Sequence, residues 1–257
     1  MSIAYNTSVV KNGLLLHIDA ANTKSYPNSG TTVYDLMKNE NFSIIDDGGY
    51  FNHNPSNYAF EIRKSTTPGL EGGAGIRTTV TTEALKAVNF LYNDHTIDVW
   101  VKFKDFYPVA YYDPANTTEN TSGVITWRGY HAGFYFGSTA INYRVWNNKT
   151  GTAGTSVTWA YANIELDKWV NIVGIRSSNT MSFYVNSVLV SGPVSVTTGN
   201  TDLGTTNDLC IGQVTPKTST YSYNTSIDVG CVKLYGRAIT ASEIKKNFEA
   251  LRGRYGV

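Results

Sequence analysis

The residues best suited to contact chemistry are aromatics set among turn formers. Tyr111 and Tyr112 sit in the Pro-broken polar stretch FYPVAYYDPANTTENTS, Phe106 to Ser122. Tyr130, Trp159 and Tyr161 follow in the strings RGYHAG and TSVTWAYAN. Rings like these stack on the C–H faces of pyranose sugars while Asn, Asp and Arg satisfy the hydroxyls. Tyr is equally enriched at protein interfaces, so a glycan and a protein partner both stay open for these five positions. Trp127 and Trp146 fall in apolar strings, where core packing accounts for them.

Bond-breaking chemistry has weaker support. A retaining glycosidase needs two carboxyl groups about 5–5.5 Å apart. Glu165 with Asp167 is the nearest approach, an i, i+2 pair in what reads as a solvated turn before Trp169. No Gly-x-Ser-x-Gly elbow occurs, and Cys210 and Cys231 lie in the apolar runs DLCIG and VGCVKLY, as small buried hydrophobes do. GLEGGAGIR, Gly69 to Arg77, lacks the Lys-Ser/Thr end of a phosphate loop and reads as a turn. His17, His53, His95 and His131 are far apart, and no Cys-x-x-Cys accompanies them. Asp46, Asp47, Asp202 and Asp208 could offer oxygens to calcium, but aspartates that cap turns explain the same residues. The expectation is no catalysis, no cofactor and no metal.

Strands must position whatever the loops carry. HTIDVWVKFK alternates, with Ile97, Val99, Val101 and Phe103 on one face and Thr96, Asp98, Trp100, Lys102 and Lys104 on the other, which predicts a half-buried strand. WVNIVGIR, Trp169 to Arg176, is apolar on both faces up to Ile175, as in a central covered strand. MSFYVNSVLV predicts a hairpin turning at Asn186-Ser187. Further strands are expected at Leu14–Ala20, Ala59–Ile62, Gly123–Trp127, Gly133–Gly137, Ile141–Trp146, Leu209–Gln213 and Val229–Tyr235, with a short helix around Glu83–Phe90. At the end, Thr240 and Glu243 form a capping-box pattern. Ile244, Phe248 and Leu251 then make one apolar stripe, and Gly253 offers a stop.

Composition agrees with an all-β chain. Across 257 residues the net charge is +1, and charged residues make up 16% against about 25% in ordinary soluble domains. So small a cationic excess argues against a nucleic-acid partner. No apolar run approaches the roughly 18 residues of a membrane span, so no membrane insertion is expected. The opening MSIAYNTSVVKNG has no signal-peptide pattern, which makes the Asn-x-Ser/Thr triplets, including those at Asn116 and Asn120, turn composition. One domain is expected over residues 1–257, with an arm at 1–13 and the helix at 240–252.

Taken in order, HTIDVWVKF, GVITWRG, LDKWVNIVGIR, FYVNSVLV and DLCIGQ resemble the strand series of the concanavalin A-like, laminin-G-like jelly rolls. The segments GLLLHIDAANTKSYPNSGTTVYDL, Gly13 to Leu36, and LYGRAITASEIKKNFEALRGRYG, from Leu234, resemble the opening and closing segments of laminin-G-like virion proteins of tailed bacteriophages. The resemblance implies a jelly-roll β-sandwich with a short C-terminal helix. It also implies a noncatalytic virion protein, made in the host cytoplasm and oligomeric in the particle, that decorates a capsid or forms a tail or fibre part. Its partners would be other virion proteins and, through its loops, a host-surface glycan; a lectin module is the alternative, and a glycoside hydrolase the third reading. Three positions depart from the pattern. Ser187 replaces the hairpin Gly, Asn171 occupies the usual His position, and Gly230 stands where the family often has Asp.

Overall fold

A computed structural model describes residues 8–46, 48–64, 74–79, 93–106, 123–127, 132–146, 154–196, 208–212 and 226–257. The strands are β1 (Leu14–Asp19), β2 (Thr32–Tyr34), β3 (Asn41–Asp46), β4 (Phe51–Asn54), β5 (Ala59–Ile62), β6 (Ala74–Thr79), β7 (His95–Phe103) and β8 (Gly123–Trp127). They continue with β9 (Ala132–Phe136), β10 (Ala140–Trp146), β11 (Gly154–Ala160), β12 (Trp169–Ser177), β13 (Thr180–Val185), β14 (Val188–Ser195), β15 (Asp208–Ile211) and β16 (Ile227–Tyr235), and the helix α1 spans Ala241–Tyr255. Among the described residues these form two antiparallel sheets. One runs β14-β13-β12-β7-β16-β5-β4, with β1 also on β16; the other runs β11-β10-β9-β8-β15-β6-β3-β2. The long strand β16 makes this possible, because its first half pairs with β5 and its second half with β1 along the same edge.

Alternation puts Ile97, Val99, Val101 and Phe103 of β7 into the layer between the sheets. There they meet Phe134, Phe136 and Ile141 of the opposing sheet. The opposite face of β7 was expected to be solvated, and the structure corrects this: Thr96, Asp98 and Trp100 are buried. The cause is the helix. Phe248 stacks on Trp100 at 5.6 Å between centroids and Tyr255 at 4.5 Å, while Val9 packs on the same cluster. A strand pattern that is half polar can thus be fully covered when the covering element brings its own polar partners.

The helix begins as its capping box predicts, with the Thr240 hydroxyl accepting from the Glu243 amide and the Glu243 carboxylate accepting from the Thr240 amide. Arg237 clamps the same carboxylate at 2.6 and 2.9 Å. That guanidinium and the Thr240 amide hold the Glu243 carboxyl down at about 2. Its end differs from expectation. The helix runs through Gly253 to Tyr255, and Gly256 takes the left-handed cap with φ 69°. Tyr255 extends the stripe of Ile244, Phe248 and Leu251 by one further turn, and its burial against Trp100 and Trp169 holds that turn in place. The same ring accounts for Gly230, since any Cβ there would collide with it.

Most remaining expectations hold. The strands at Leu14, Ala59, Gly123, Ala132, Ala140, Asp208 and Ile227 lie within two residues of their expected starts. Cys210 and Cys231 are buried, form no disulfide and lie on different sheets. Strands β2, β3, β4, β6 and β11 went unpredicted; their polar sequences carry too few apolar positions to show a period. The helix expected at Glu83–Phe90 lies outside the described residues.

The Asn186-Ser187 turn keeps the geometry of an Asn-Gly hairpin, with φ of 47° and 66°. Ser187 therefore bears a left-handed backbone that costs a residue with a Cβ about 1–2 kcal/mol. Glycine relieves that strain but adds chain entropy to the unfolded state, about 0.5–1 kcal/mol. Ser187→Gly should stabilise the protein by about 0.5 kcal/mol, raising the thermal midpoint by about 1–2 °C. A lowered midpoint in a thermal melt would contradict the turn assignment.

Candidate functional site

The chain crosses from one sheet to the other between β11 and β12, and this crossing opens a cleft of about 560 Å³ at the end of the sandwich. A 3-10 turn at Tyr161–Asn163 starts it, tied back by the Tyr161 amide to the Thr139 carbonyl at 2.9 Å. The turn after it ends at Asp167, whose amide bonds the Phe103 carbonyl and whose φ is 60°. Trp159 and Trp169 stand at the two ends of the crossing, with Asn163, Glu165, Asp167 and Lys168 along the rim. Asn186 from the hairpin and Tyr255 to Val257 from the chain end complete the walls.

The aromatics here are largely engaged. Trp159 is 9% exposed and packs edge-on against Phe183 at 6.5 Å, so it offers the cleft only part of its ring. Trp169 carries the Lys102 ammonium over its ring at 5.0 Å and Tyr255 beside it at 4.6 Å. Tyr161 stacks on Phe106 at 4.4 Å, its hydroxyl donates to the Gly137 carbonyl, and burial pushes its phenol well up. Tyr111, Tyr112 and Tyr130 lie outside the described residues. The structure thus brings Trp159 to the cleft with the acidic pair, and leaves Tyr161 packed beside it.

The two acids of the crossing sit on an exposed turn, as expected. Asp167 is bridged by the Lys104 ammonium, and that hydrogen bond holds its carboxyl below the usual carboxylate range. An acid so held stays ionised at neutral pH and cannot deliver a proton to a leaving group. Lys104 also reaches Asp228, at 3.5 Å, where Arg63 at 2.7 Å and Lys102 at 3.7 Å converge on the same buried carboxylate. Asp46, weighed above for calcium, spends Oδ1 on the amides of Tyr50 and Phe51 and so closes a turn. Among the described residues no group of three His, Cys, Asp or Glu side chains could hold a metal ion. Asn186 and the chain end were missed as cleft residues. The Tyr255 contribution was readable in principle, because it falls four residues after Leu251 on the same helical stripe.

Two stacked antiparallel sheets with these crossings invite comparison with known families. A laminin-G-type model, described as the concanavalin A-like lectin/glucanases superfamily, matches residues 73–245. The chain belongs to this superfamily. No curated protein matches it in sequence. Among solved structures, the superfamily fold is shared with the binding domain of botulinum neurotoxin DC in complex with rat synaptotagmin II (TM-score 0.64, 12% identity). That match covers 93% of this chain and 52% of the toxin chain. The same toxin domain in complex with SialylT matches at TM-score 0.64 and 13% identity, with the same coverage. Trypanosoma rangeli sialidase in complex with sialic acid matches at TM-score 0.60 and 15% identity, over 94% of this chain and 33% of the enzyme. The chain thus spans about half of the toxin domain and a third of the sialidase. At such identities the likeness concerns the fold.

Proposed function

We propose that this protein is a noncatalytic structural component of a tailed-bacteriophage particle, a capsid decoration or a tail or fibre part, that contacts neighbouring virion proteins and host-surface glycan. The observation that carries the noncatalytic half lies at the open cleft: Asp167, one of its two acids, is ion-paired with Lys104 in an exposed turn. Amide and ring-edge groups remain to form contacts there, and such groups serve binding without bond cleavage. The particle half is supported by the resemblance of Gly13–Leu36 and of the segment from Leu234 to phage virion proteins. The structural neighbours in complex with synaptotagmin II, with SialylT and with sialic acid are consistent with either kind of contact.

Mass spectrometry of purified particles should recover the chain at a fixed stoichiometry, and the protein should release no reducing sugar from a polysaccharide panel. Its absence from particles overturns the structural role. Sugar release that Glu165→Gln abolishes overturns the noncatalytic one.

A further inference from the structure

A second concavity, of about 380 Å³, lies at the far edge of the sheet whose other edge carries the cleft, for β2 and β11 are its two outermost strands. It is lined by Lys24, Tyr34, Asp35, Leu36, Lys38 and Asn41 and shares no residue with the cleft. We infer that it is a subsite for a carboxylate-bearing sugar, with Tyr34 as the platform and Lys24 and Lys38 as the carboxylate's partners.

The platform is rigid before any ligand arrives. The Tyr34 amide donates to the Ser25 carbonyl at 2.7 Å and the buried Ser25 hydroxyl to the Tyr34 carbonyl at 2.8 Å, which locks β2 to the turn carrying Lys24. That turn is itself closed by the Asn22 side chain, which accepts from the Lys24 amide at 2.9 Å. On the other side, Asp35 organises the connection to β3. Its Oδ1 accepts from the amides of His17 and Met37, its Oδ2 from that of Asn39, and its carbonyl from that of Lys38. Lys38 is held in the left-handed region, φ 62°, a conformation that is strained for a residue with a Cβ and clusters at ligand sites. Ordering cost already met in the free protein is not charged again on binding.

Charge and surface choose the ligand. The Asp35 carboxylate is turned to backbone N–H groups, and among the described residues neither Lys24 nor Lys38 has an ion-pair partner. The concavity therefore presents two ammonium groups to solvent, which favours an anion. Tyr34 is 42% exposed, and its ring with the Asn41 amide supplies what an anionic sugar needs and a simple anion does not: an apolar face for C–H groups and a partner for hydroxyls. A volume near the lower end of small-molecule sites, about 300–1,000 Å³, suits one or two sugar units. The carboxylate can belong to a sialic acid or to a hexuronate.

The inference rests on the glycan-contact part of the proposed function, and the test separates the two. The full chain is titrated with 3′-sialyllactose, a glucuronate-terminated disaccharide, lactose and inorganic phosphate, followed by amide NMR shifts and calorimetry. At least one acidic sugar should bind no less than tenfold more tightly than lactose or phosphate, moving the Lys24, Tyr34 and Lys38 amides and weakening with salt. Lys24→Gln with Lys38→Gln, and separately Tyr34→Ala, should each lose at least tenfold, whereas Lys245→Gln on the exposed side of α1, which lines neither concavity, should leave affinity unchanged; an Asn163→Ala variant reports on the cleft. Equal affinity for lactose, equal affinity for phosphate, or a loss confined to the Asn163 variant overturns the subsite and leaves the glycan reading standing. Absence of binding to any glycan on an array overturns both.

Discussion

Lys233→Met should destabilise the protein by about 3–5 kcal/mol, the cost of leaving one member of a buried ion pair without the other. Lys233 of β16 and Asp98 of β7 are register partners on the face beneath α1, 2.9 Å apart and fully buried. Burial alone would push the Lys233 ammonium down, but Asp98, with Cys231 and Tyr235 adding to it, more than offsets this and the net shift is upward. Many buried pairs can be replaced by apolar residues at little cost. This one is different because Asp98 also accepts from Asn171 at 2.8 Å and from Asn247 at 2.9 Å. Asn247 in turn bonds Val10 of the N-terminal arm and the Tyr235 hydroxyl. Sheet, helix and arm thus meet at one carboxylate.

A double variant, Asp98→Leu with Lys233→Met, would remove the pair but leave one N–H of each of the buried Asn171 and Asn247 amides without its acceptor, each at about 1–3 kcal/mol. It should therefore be no more stable than Lys233→Met alone. Denaturant unfolding at neutral pH measures both. In a chain of this length the single substitution should lower the thermal midpoint by about 6–20 °C. A Lys233→Met protein within 1 kcal/mol of the parent would mean that the network does not hold the helix.

The same face shows how much was legible beforehand. Strands β7, β12 and β13 announce themselves by period two or by continuous apolar runs, and the capping box announces α1. The polar residues Thr96 and Asp98 read as a solvated face because nothing local reveals that a helix more than 130 residues later will cover them. Asn171, a departure from the family pattern, gains its meaning only from Asp98 across the register. At the sites the limits are similar. Glu165, Asp167 and Trp159 were visible as a short string, whereas Asn186 and Tyr255 reach the cleft only through tertiary packing. Nothing in the sequence sets Lys24, Tyr34 and Lys38 apart. It is the bonds of Asp35 and Ser25 that turn them into one concavity.

Acid should unfold the protein earlier than its carboxylates require, because two histidines are held neutral inside it. His95 is fully buried between the sheets, its Nδ1 facing the Asn93 carbonyl at 3.0 Å and its Nε2 the Tyr143 hydroxyl at 2.6 Å. Those partners assign the proton to Nδ1 and the Tyr143 O–H as donor to Nε2. Burial, together with the guanidinium of its register partner Arg176, pushes the imidazole down to about 3. His17, part-buried below α1, is pushed to about 4 by burial and by Lys233, with Asp19 and Asp98 opposing and Arg254 adding to the effect. A folded-state value below the unfolded 6.5 means that the unfolded chain binds more protons throughout the interval, so stability rises with pH there. The contribution is complete above about 6.5 and is lost as pH falls towards 4 and then 3. Each unit of that interval is worth about 1.36 kcal/mol. Between pH 6.5 and 5, where most carboxylates remain ionised, His95 and His17 should each account for about 1.5 kcal/mol. Urea unfolding at pH 7, 6 and 5 reads the slope directly. His95→Gln should lower stability at pH 7 yet flatten that slope by about half or more. A parent protein equally stable at pH 7 and pH 5, or a variant with the parent's slope, would place the titration elsewhere in the molecule.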